Sequence, residues 1–306
     1  MNKAKEPLFS VVMPTYNHAH FLYRSINSVL EQTYSNLELI VIDNHSTDNT
    51  ENLVRMFTDS RLHYSKINNE GIIARSRNHG IKKANGEWIA FLDSDDWWEK
   101  NKLEACTRQI QKDNQKIDFL YHDLEITQET PNTIFKRTLK GQILTAPVLN
   151  NLLIKGNVIA NSSAVVRKTL FYQIGFISEK EELVASEDYH TWLKIAQITN
   201  NFVYLPHILG HYMTHNKGVS KKDMSLSGWE AIGEFLDILQ VKEKLKAKAN
   251  LKYTSGRFNY LSGNITKAIK DLHFVVKHGS TSIKLKSCFM ILASLAKRLP
   301  NKIQPK

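Results

Sequence analysis

Three aspartates among four consecutive residues are the feature of this chain with the clearest chemical potential. An apolar segment at residues 87–92 runs directly into Asp93, Ser94, Asp95 and Asp96. Carboxylates at this density repel one another unless a cation or a hydrogen-bonding ligand compensates for their charge. The residues therefore indicate a site for a metal ion and a phosphate group. The alternative is an aspartate N-cap of a helix over residues 99–112, although one acid would suffice for that purpose.

The segments that must position these acids alternate between two hydrophobic periods over the first 125 residues. Five short segments rich in β-branched or aromatic residues are typical of strands, at residues 9–13, 37–42, 62–67, 89–92 and 119–121. Apolar residues at helical spacing separate these segments, as in Leu22, Ile26 and Val29. Strands and helices in alternation predict an α/β fold with a doubly wound, mainly parallel, Rossmann-like sheet.

Polar side chains follow four of the predicted strands at the point where each strand ends. They are Tyr16 and Asn17 after the first strand, Asp43 and Asn44 after the second, Asn68 and Asn69 after the third, and the aspartates of residues 93–96 after the fourth. Ligands bind to an open sheet of this kind at the carboxyl ends of its strands. Asparagine and aspartate are also common turn residues, but turn preference alone explains four such endings poorly.

Five short motifs give the chain a resemblance to family 2 glycosyltransferases over about residues 8–220. They are Val12-Met-Pro-Thr-Tyr-Asn17, Ile42-Asp-Asn-His-Ser-Thr-Asp48, Arg77-Asn78-His-Gly80, Asp93-Ser-Asp95 and Glu187-Asp188. The resemblance implies a GT-A fold and the transfer of a sugar from a nucleotide diphosphate donor with inversion at the anomeric carbon. Bacterial relatives of this size commonly build surface polysaccharide, which implies a glycan acceptor on a polyprenyl carrier.

The resemblance also assigns a metal ion and its ligands. Asp95 is the expected ligand of Mn²⁺ or Mg²⁺, while Asp93 shares the ion or accepts hydrogen bonds from the ribose. Such a cation would stabilise the negative charge that develops on the leaving diphosphate. Where relatives have Tyr-Arg-x-His, this chain has Tyr212-Met213-Thr214-His215. His215 is therefore a further candidate ligand, and Lys217 is a candidate for the missing cationic side chain.

A second pair of acids, Glu187 and Asp188, precedes a helical segment. Inversion by direct displacement needs a base that takes the proton of the acceptor hydroxyl, and by resemblance that base is Asp188. Repulsion from Glu187 would raise one of the two pKa values toward a useful range. The alternative is a solvated helix start, where acids complement the helix dipole.

The donor nucleotide is expected to contact Pro14, Thr15, Tyr16, Asn17 and Asp43. In many relatives the second strand ends in two acids, whereas the second position here is Asn44. An amide both donates and accepts, so Asn44 can pair with a uracil or thymine edge, and a UDP-sugar is favoured.

Three further side chains complete the candidate site. Ser94 lies within the acidic motif and is expected to face the donor. Arg77 is a candidate for the diphosphate, because a guanidinium fork matches phosphate oxygens; a surface ion pair is its alternative. Trp97 and Trp98 could form an aromatic platform for the acceptor sugar. One of them is expected to be exposed and the other buried.

The positive charge is concentrated in the last part of the chain. Residues 225–306 contain 15 Lys and Arg against 5 Asp and Glu, whereas residues 1–224 contain 26 against 25. This asymmetry divides the chain into a GT-A domain at 1–224 and a basic helical region at 225–306.

The excess of positive charge in the basic region indicates an anionic surface as a partner. A segment at 284–298 has cations at both ends of an apolar run, which suits a membrane interface. A buried helix is the alternative.

Other classes of protein find less support. The basic region shows no recognisable motif for nucleic acid, and the acidic cleft would repel phosphate unless a metal intervened. A non-catalytic nucleotide-sugar-binding or scaffold protein could dispense with Asp188, so its presence favours an enzyme. The polar residues 1–7 and the lack of a long apolar run predict a cytoplasmic protein, either free or peripheral on the inner face of the cell membrane. Cys106 and Cys288 have no metal spacing and are expected to be buried thiols.

Overall fold

The computed structural model describes residues 6–112, 116–129, 137–215 and 223–296. The chain begins with β1 (Phe9–Thr15), α1 (Ala19–Leu30), β2 (Leu37–Asp43), α2 (Thr50–Arg55), β3 (Leu62–Lys66), α3 (Ile73–Lys83), β4 (Trp88–Phe91), β5 (Trp97–Trp98), α4 (Lys102–Lys112), β6 (Phe119–Gln128) and β7 (Arg137–Leu139). It continues with α5 (Val148–Lys155), β8 (Val165–Arg167), α6 (Lys168–Gln173), α7 (Glu187–Ile198), β9 (Phe202–Thr214), α8 (Ser225–Gly233), α9 (Val241–Leu261), α10 (Ile265–His278) and α11 (Thr281–Ala296).

One sheet runs through the molecule in the order β3-β2-β1-β4-β8-β6-β9-β5, with β7 paired to β6. The strands β3, β2, β1 and β4 are parallel, as the alternation of strands and helices predicts. Beyond β4 the sheet is mixed, because β8 runs antiparallel to both β4 and β6, while β9 is parallel to β6. The α/β fold class is confirmed, and the second half adds antiparallel pairings that the sequence pattern did not predict.

The central strands are buried on both faces. Every residue of β1 and β2 is buried, which their near-continuous run of β-branched and large apolar residues favours. The helix α1 covers one side of the sheet with Leu22, Ile26 and Val29, all fully buried. Their spacing of three and four residues places them on one helix face.

The helix α3 lies unusually close to the sheet at Gly80. A Cβ atom at this position would lie 2.6 Å from Val12 Cγ1 and 2.8 Å from Ile42 Cδ1. Only a residue without a side chain permits this approach. Since Arg77 is on the same helix one turn earlier, the glycine also sets how near that guanidinium comes to the strand ends.

Of the helices after β9, α8 and α9 pack on the main core, whereas α10 and α11 form a separate small cluster. Ile232, Phe235, Ala247 and Leu251, from α8, the segment after it and α9, belong to the same buried cluster as the sheet residues. A separate small cluster forms between α10 and α11 around Leu272, Met290 and Ile291. The division at residue 224 therefore stays a prediction based on charge.

Two observations bear on the general expectations. Cys106 is buried, but Cys288 is exposed on α11, so the expectation of two buried thiols is wrong for Cys288. Among the residues that the structure describes, no helix is both long enough and apolar enough to cross a membrane.

Candidate active site

The carboxyl ends of β1, β2 and β4 open into a cleft with a volume of about 370 Å³. Its walls come from the loops after these strands, the start of α3 and the end of β9. The lining residues are Pro14, Thr15, Tyr16, His18, Asn44, Asn69, Gly71, Ile73, Ser76, Asp93, Ser94, Asp95, Tyr212, Met213 and His215. The cleft thus brings together one or more residues from each of the four polar strand endings that the sequence indicated, as expected for an open sheet.

The acidic segment at 93–96 is not a helix cap. The helix α4 begins at Lys102, and β5 lies between this helix and the acids. Asp96 turns inward and is almost fully buried. Its carboxylate accepts hydrogen bonds from Ser162 Oγ at 2.5 Å and from the Met213 backbone N–H at 2.8 Å. Asp96 therefore ties the loop after β4 to the turn at Asn161–Ser163 and to β9, and the other two aspartates line the cleft.

Asp95 and His215 meet at the mouth of the cleft. The distance from Asp95 Oδ2 to His215 Nε2 is 3.0 Å. Burial and the nearby charge of Asp93 raise the pKa of Asp95, although His18 and His215 act in the opposite direction. Two residues that the sequence predicted as metal ligands from opposite halves of the chain are thus in direct contact.

The carboxylate and the imidazole of this pair are both ligand types that a divalent cation accepts, but two ligands alone do not complete a metal site. Their 3.0 Å separation is that of a hydrogen bond or ion pair, and it is also close to the spacing of about 3 Å between two neighbouring ligands of an octahedral ion with bonds of about 2.1 Å. Among the described residues no group of three or more His, Cys, Asp and Glu side chains forms a complete metal site. Mg²⁺ is typically held by one or two carboxylates together with substrate phosphates. Asp93, the other expected ligand, also lines the cleft, and its Oδ1 accepts hydrogen bonds from Arg77 and Asn161.

His18 is a site residue that the sequence did not identify. Its Nδ1 lies 2.9 Å from Ser94 Oγ, and its ring packs edge-on against His215 with centroids 5.8 Å apart. Burial lowers the pKa of His18, which favours a neutral ring. A single histidine gives a weak signal, but its place directly after the Tyr16-Asn17 strand ending could have suggested it. Lys217, the proposed substitute cation, lies outside the described residues.

The side of the cleft that the sequence predicts to bind the nucleotide is built by hydrogen bonds between strand ends. Asn44 lines the cleft, and its Oδ1 accepts from the Asn69 backbone N–H at 2.8 Å. Thr15 also lines the cleft, and its buried hydroxyl has no hydrogen-bond partner in the described structure. A buried polar atom without a partner is unfavourable unless a ligand satisfies it. Thr15 is thus ready to bind a polar group.

Two residues predicted to contact the nucleotide have other partners. Asp43 is fully buried and accepts from Ser46 Oγ at 2.6 Å and from Tyr64 Oη at 2.6 Å. Asn17 adopts a left-handed conformation, with φ of 52°, and its side chain accepts from the Thr47 backbone N–H at 2.8 Å. Both side chains hydrogen-bond within and next to the loops after β1 and β2, and neither lines the cleft.

Arg77 joins the donor side of the site to the second pair of acids. Its guanidinium is buried and donates to Asp93 Oδ1 at 2.8 Å and to Glu187 Oε1 at 2.5 Å. Burial alone would lower its pKa, but Asp93 and Glu187 outweigh that effect and raise it. Arg77 is therefore neither a surface ion pair nor a free ligand for phosphate. It holds two carboxylates from distant parts of the sequence in a fixed relation.

Asp188 follows Glu187 at the start of α7 and has a different environment. Burial and the adjacent Glu187 raise the pKa of Asp188 to about 7, in the direction that the sequence predicted. Asn157 Nδ2 lies 3.3 Å from its Oδ2. Because Glu187 is buried and paired with Arg77, this helix start is not a solvated pair of acids. A carboxylate with a pKa near neutrality is well suited to proton transfer.

The two tryptophans after the acids do not offer an open platform. Trp98 is buried, and its Nε1 donates to the Ser162 carbonyl at 2.8 Å. Trp97 is half-buried; the His211 ring stacks on it at 4.5 Å, and Arg24 Cζ lies 3.4 Å from its ring centroid. The His211 ring and the Arg24 guanidinium would overlap if both lay on the same face of the Trp97 ring, so they cover opposite faces of it. The expected sugar platform is not supported. Trp98 is buried, as expected for one of the pair, but Trp97 is half-buried and not exposed.

Comparison with known proteins gives two kinds of match. A family model described as glycosyl transferase family 2 matches residues 10–175. The chain is also 35% identical over 234 residues to the Escherichia coli UDP-Glc:alpha-D-GlcNAc-diphosphoundecaprenol beta-1,3-glucosyltransferase WfgD, a match that covers 75% of this chain and 87% of that protein.

Two solved structures are similar in fold. The S. aureus TarS fragment 1-349 in complex with UDP-GlcNAc gives a TM-score of 0.64 at 20% identity, over 94% of this chain and 89% of that one. The mannosyltransferase PcManGT from Pyrobaculum calidifontis, in complex with GDP-Man and Mn²⁺, gives 0.62 at 17% identity, over 98% and 89%. The predicted GT-A fold with helices after it is confirmed.

Proposed function

We propose, since the chain belongs to glycosyl transferase family 2, that it is an inverting, metal-dependent glycosyltransferase that uses a UDP-sugar. Its acceptor is the hydroxyl of a polyprenyl-linked glycan in the synthesis of surface polysaccharide. The observation that carries this proposal is the continuous chain of charges from Asp93 through Arg77 and Glu187 to Asp188. It links the cleft where a donor would bind to a carboxylate with the pKa of a general base.

The donor would occupy the cleft of about 370 Å³. Thr15 and Asn44 offer polar groups to the nucleoside, and Tyr16, which is 53% exposed, offers a ring for the base to pack against. Asp95 and His215 would hold the cation, as Mn²⁺ or Mg²⁺, near the diphosphate. When bound, the cation supplies positive charge that offsets the negative charge on the leaving diphosphate.

Asp188 would accept the proton of the acceptor hydroxyl as the oxygen attacks the anomeric carbon. The bond from that oxygen to carbon forms while the bond from carbon to the diphosphate oxygen breaks, which inverts the configuration. Glu187 does not compete for this role, because one of its oxygens is held by Arg77. Its negative charge instead keeps the pKa of Asp188 high, so that Asp188 is a stronger base.

The relative with 35% identity supports the choice of substrates. Its name specifies UDP-Glc as donor and a diphosphoundecaprenol-linked GlcNAc as acceptor. We therefore place this protein in the cytoplasm at the inner membrane surface, where a lipid-linked acceptor of this type would meet a soluble nucleotide sugar. The excess of positive charge at residues 225–306 favours contact with anionic headgroups.

The test is a screen of nucleotide sugars with a polyprenyl-diphosphate-linked GlcNAc acceptor, in the presence of Mn²⁺, Mg²⁺ or a chelator. We expect UDP release that requires both the acceptor and the cation, and an NMR spectrum of the product showing the anomeric configuration opposite to that of the donor. UDP-sugar binding without transfer to any acceptor would favour a non-catalytic binding protein. A product with retained configuration would refute the proposed displacement.

A further inference from the structure

The last described helix, α11, exposes a stripe of apolar side chains to solvent, which is the opposite of an ordinary surface helix. Toward the protein it buries two serines, Ser287 and Ser294, beside Met290 and Ile291. Toward solvent it exposes Leu285, Phe289, Leu292 and Leu295, which are 68%, 72%, 67% and 48% exposed. A surface helix normally faces its apolar stripe to the core. The exposed stripe of α11 therefore lacks a partner within the described chain.

Lysines border this stripe on both sides. With 3.6 residues per turn, successive residues are about 100° apart around the helix axis. Lys284 and Lys286 consequently lie about 100° to either side of Leu285, while Phe289 and Leu292 fall within about 40° of it. An apolar strip flanked by one lysine on each side suits a helix that lies in a membrane interface, where lysine stems reach up to the headgroups.

The surface of α10 and α11 around this stripe is also positively charged. Over residues 265–296 there are five lysines, Lys267, Lys270, Lys277, Lys284 and Lys286. The one acid in this range, Asp271, is buried and bound to Lys252 and Ser255. No exposed carboxylate lies on α10 or α11 to neutralise them. Two copies of such a face would repel each other, whereas an anionic surface would be attracted.

We propose that the exposed face of α11, defined by Leu285, Phe289 and Leu292 with Lys284 and Lys286 at its borders, docks on an anionic lipid bilayer. This inference deepens the proposed function and rests on it for its purpose, since docking would bring the cleft to the surface that carries the lipid-linked acceptor. The helix lies in the interface and does not cross it. Its buried side remains packed on α10.

Binding of the full chain to vesicles tests this inference. Vesicles of phosphatidylcholine with phosphatidylglycerol should retain the protein in a flotation assay, and vesicles of phosphatidylcholine alone should retain far less. The double variant Phe289→Ser, Leu292→Ser should bind at least about tenfold more weakly. The variant Lys284→Gln, Lys286→Gln should lose most of the dependence on anionic lipid and on low salt.

A matched control tests whether vesicle binding depends on the exposed face of α11 or on exposed apolar side chains in general. Met56 and Leu226 are 73% and 75% exposed on other helices or their ends, so the double variant Met56→Ser, Leu226→Ser should bind vesicles like the parent chain. Cys288 is the exposed one of the two cysteines and lies on α11, so a polarity-sensitive dye on its thiol should shift its emission to the blue when anionic vesicles are added.

Transfer to a water-soluble acceptor with a short lipid tail distinguishes this inference from the proposed function. The Phe289→Ser, Leu292→Ser variant should transfer to that acceptor at the parent rate while it loses activity on acceptor embedded in vesicles. Equal vesicle binding by parent and variant would overturn the docking proposal and leave the enzyme intact. A self-associated parent that the variant converts to a monomer, without any vesicle binding, would also overturn it, because the occupant would then be a second copy.

Discussion

Arg77 shows how one residue can determine the roles of its neighbours. Its guanidinium holds Asp93 on the donor side and Glu187 on the other, so neither acid is free for proton transfer. Asp188, which makes no ion pair among the described residues, keeps a raised pKa and is the base that we propose. Environment thus assigns different roles to two adjacent acids, a division common in enzymes that use paired carboxylates.

The pKa of Asp188 sets the expected pH dependence of transfer. A base works in its deprotonated form, so kcat should fall as the pH drops through about 7, by about tenfold per unit below that value. Removing the amide that donates to this carboxylate disfavours its charged form. Asn157→Ala should therefore move the acid limb of the profile to higher pH, with a rate near the parent's in the alkaline plateau. A limb that stays in place in this variant, or a flat profile, would contradict the assignment of the base. The check is initial velocity at saturating substrates across pH.

The helix α3 shows why the Arg77-Asn78-His79-Gly80 motif has its spacing. Gly80 lets the helix approach Val12 and Ile42 at the centre of the sheet, and this approach places Arg77 beside the ends of β4 and α7. Sequence reasoning found the residues of this motif but not the reason for the glycine. The reason is a tertiary contact with strands more than 30 residues away.

Gly80→Ala should destabilise the protein because the new methyl group would overlap two buried side chains. Overpacking of this kind costs about 1–3 kcal/mol, which exceeds the gain from the better helix propensity of alanine. Transfer activity should fall as well, since Arg77 moves with the helix. Gly233→Ala is the control, because nothing lies within 4 Å of its added Cβ and alanine there should be neutral or stabilising by up to about 1 kcal/mol. Urea denaturation of both variants measures the difference; equal stability would mean that α3 is not held at this distance.

For the molecule as a whole, the first half could be predicted from sequence and much of the second half could not. Strands β1 to β4 alternate with helices and pair in parallel, so local periodicity suffices to place Asn44 and Asp93 at one edge. The second half depends on antiparallel pairings of short strands such as β5 and β8. The contact between Asp95 and His215 arises there, across 120 residues, and no local pattern encodes its geometry.

The same limit explains the residues whose roles were not predicted correctly. Asp43 and Asn17 have the residue types of ligands, but Ser46, Tyr64 and Thr47 satisfy their side chains. Trp97 has the type of a sugar platform, yet His211 from β9 covers one of its faces. Residue type indicates what a side chain is able to bind. Apart from Ser46, which is three residues from Asp43, the partners that these side chains find come from segments distant in sequence.

The central claim is that Asp95 holds the cation and Asp188 acts as the base. It is tested most directly by comparing Asp95→Asn with Asp188→Asn in parallel. For each variant, UDP binding in Mn²⁺ is measured by calorimetry and transfer by product formation, with Asp237→Asn, whose side chain is 98% exposed, as the control. We predict that both variants lose transfer by at least about a hundredfold. Only Asp95→Asn should also bind UDP more weakly, whereas Asp188→Asn should bind it like the parent. Transfer at the parent rate by Asp188→Asn would contradict the proposed mechanism.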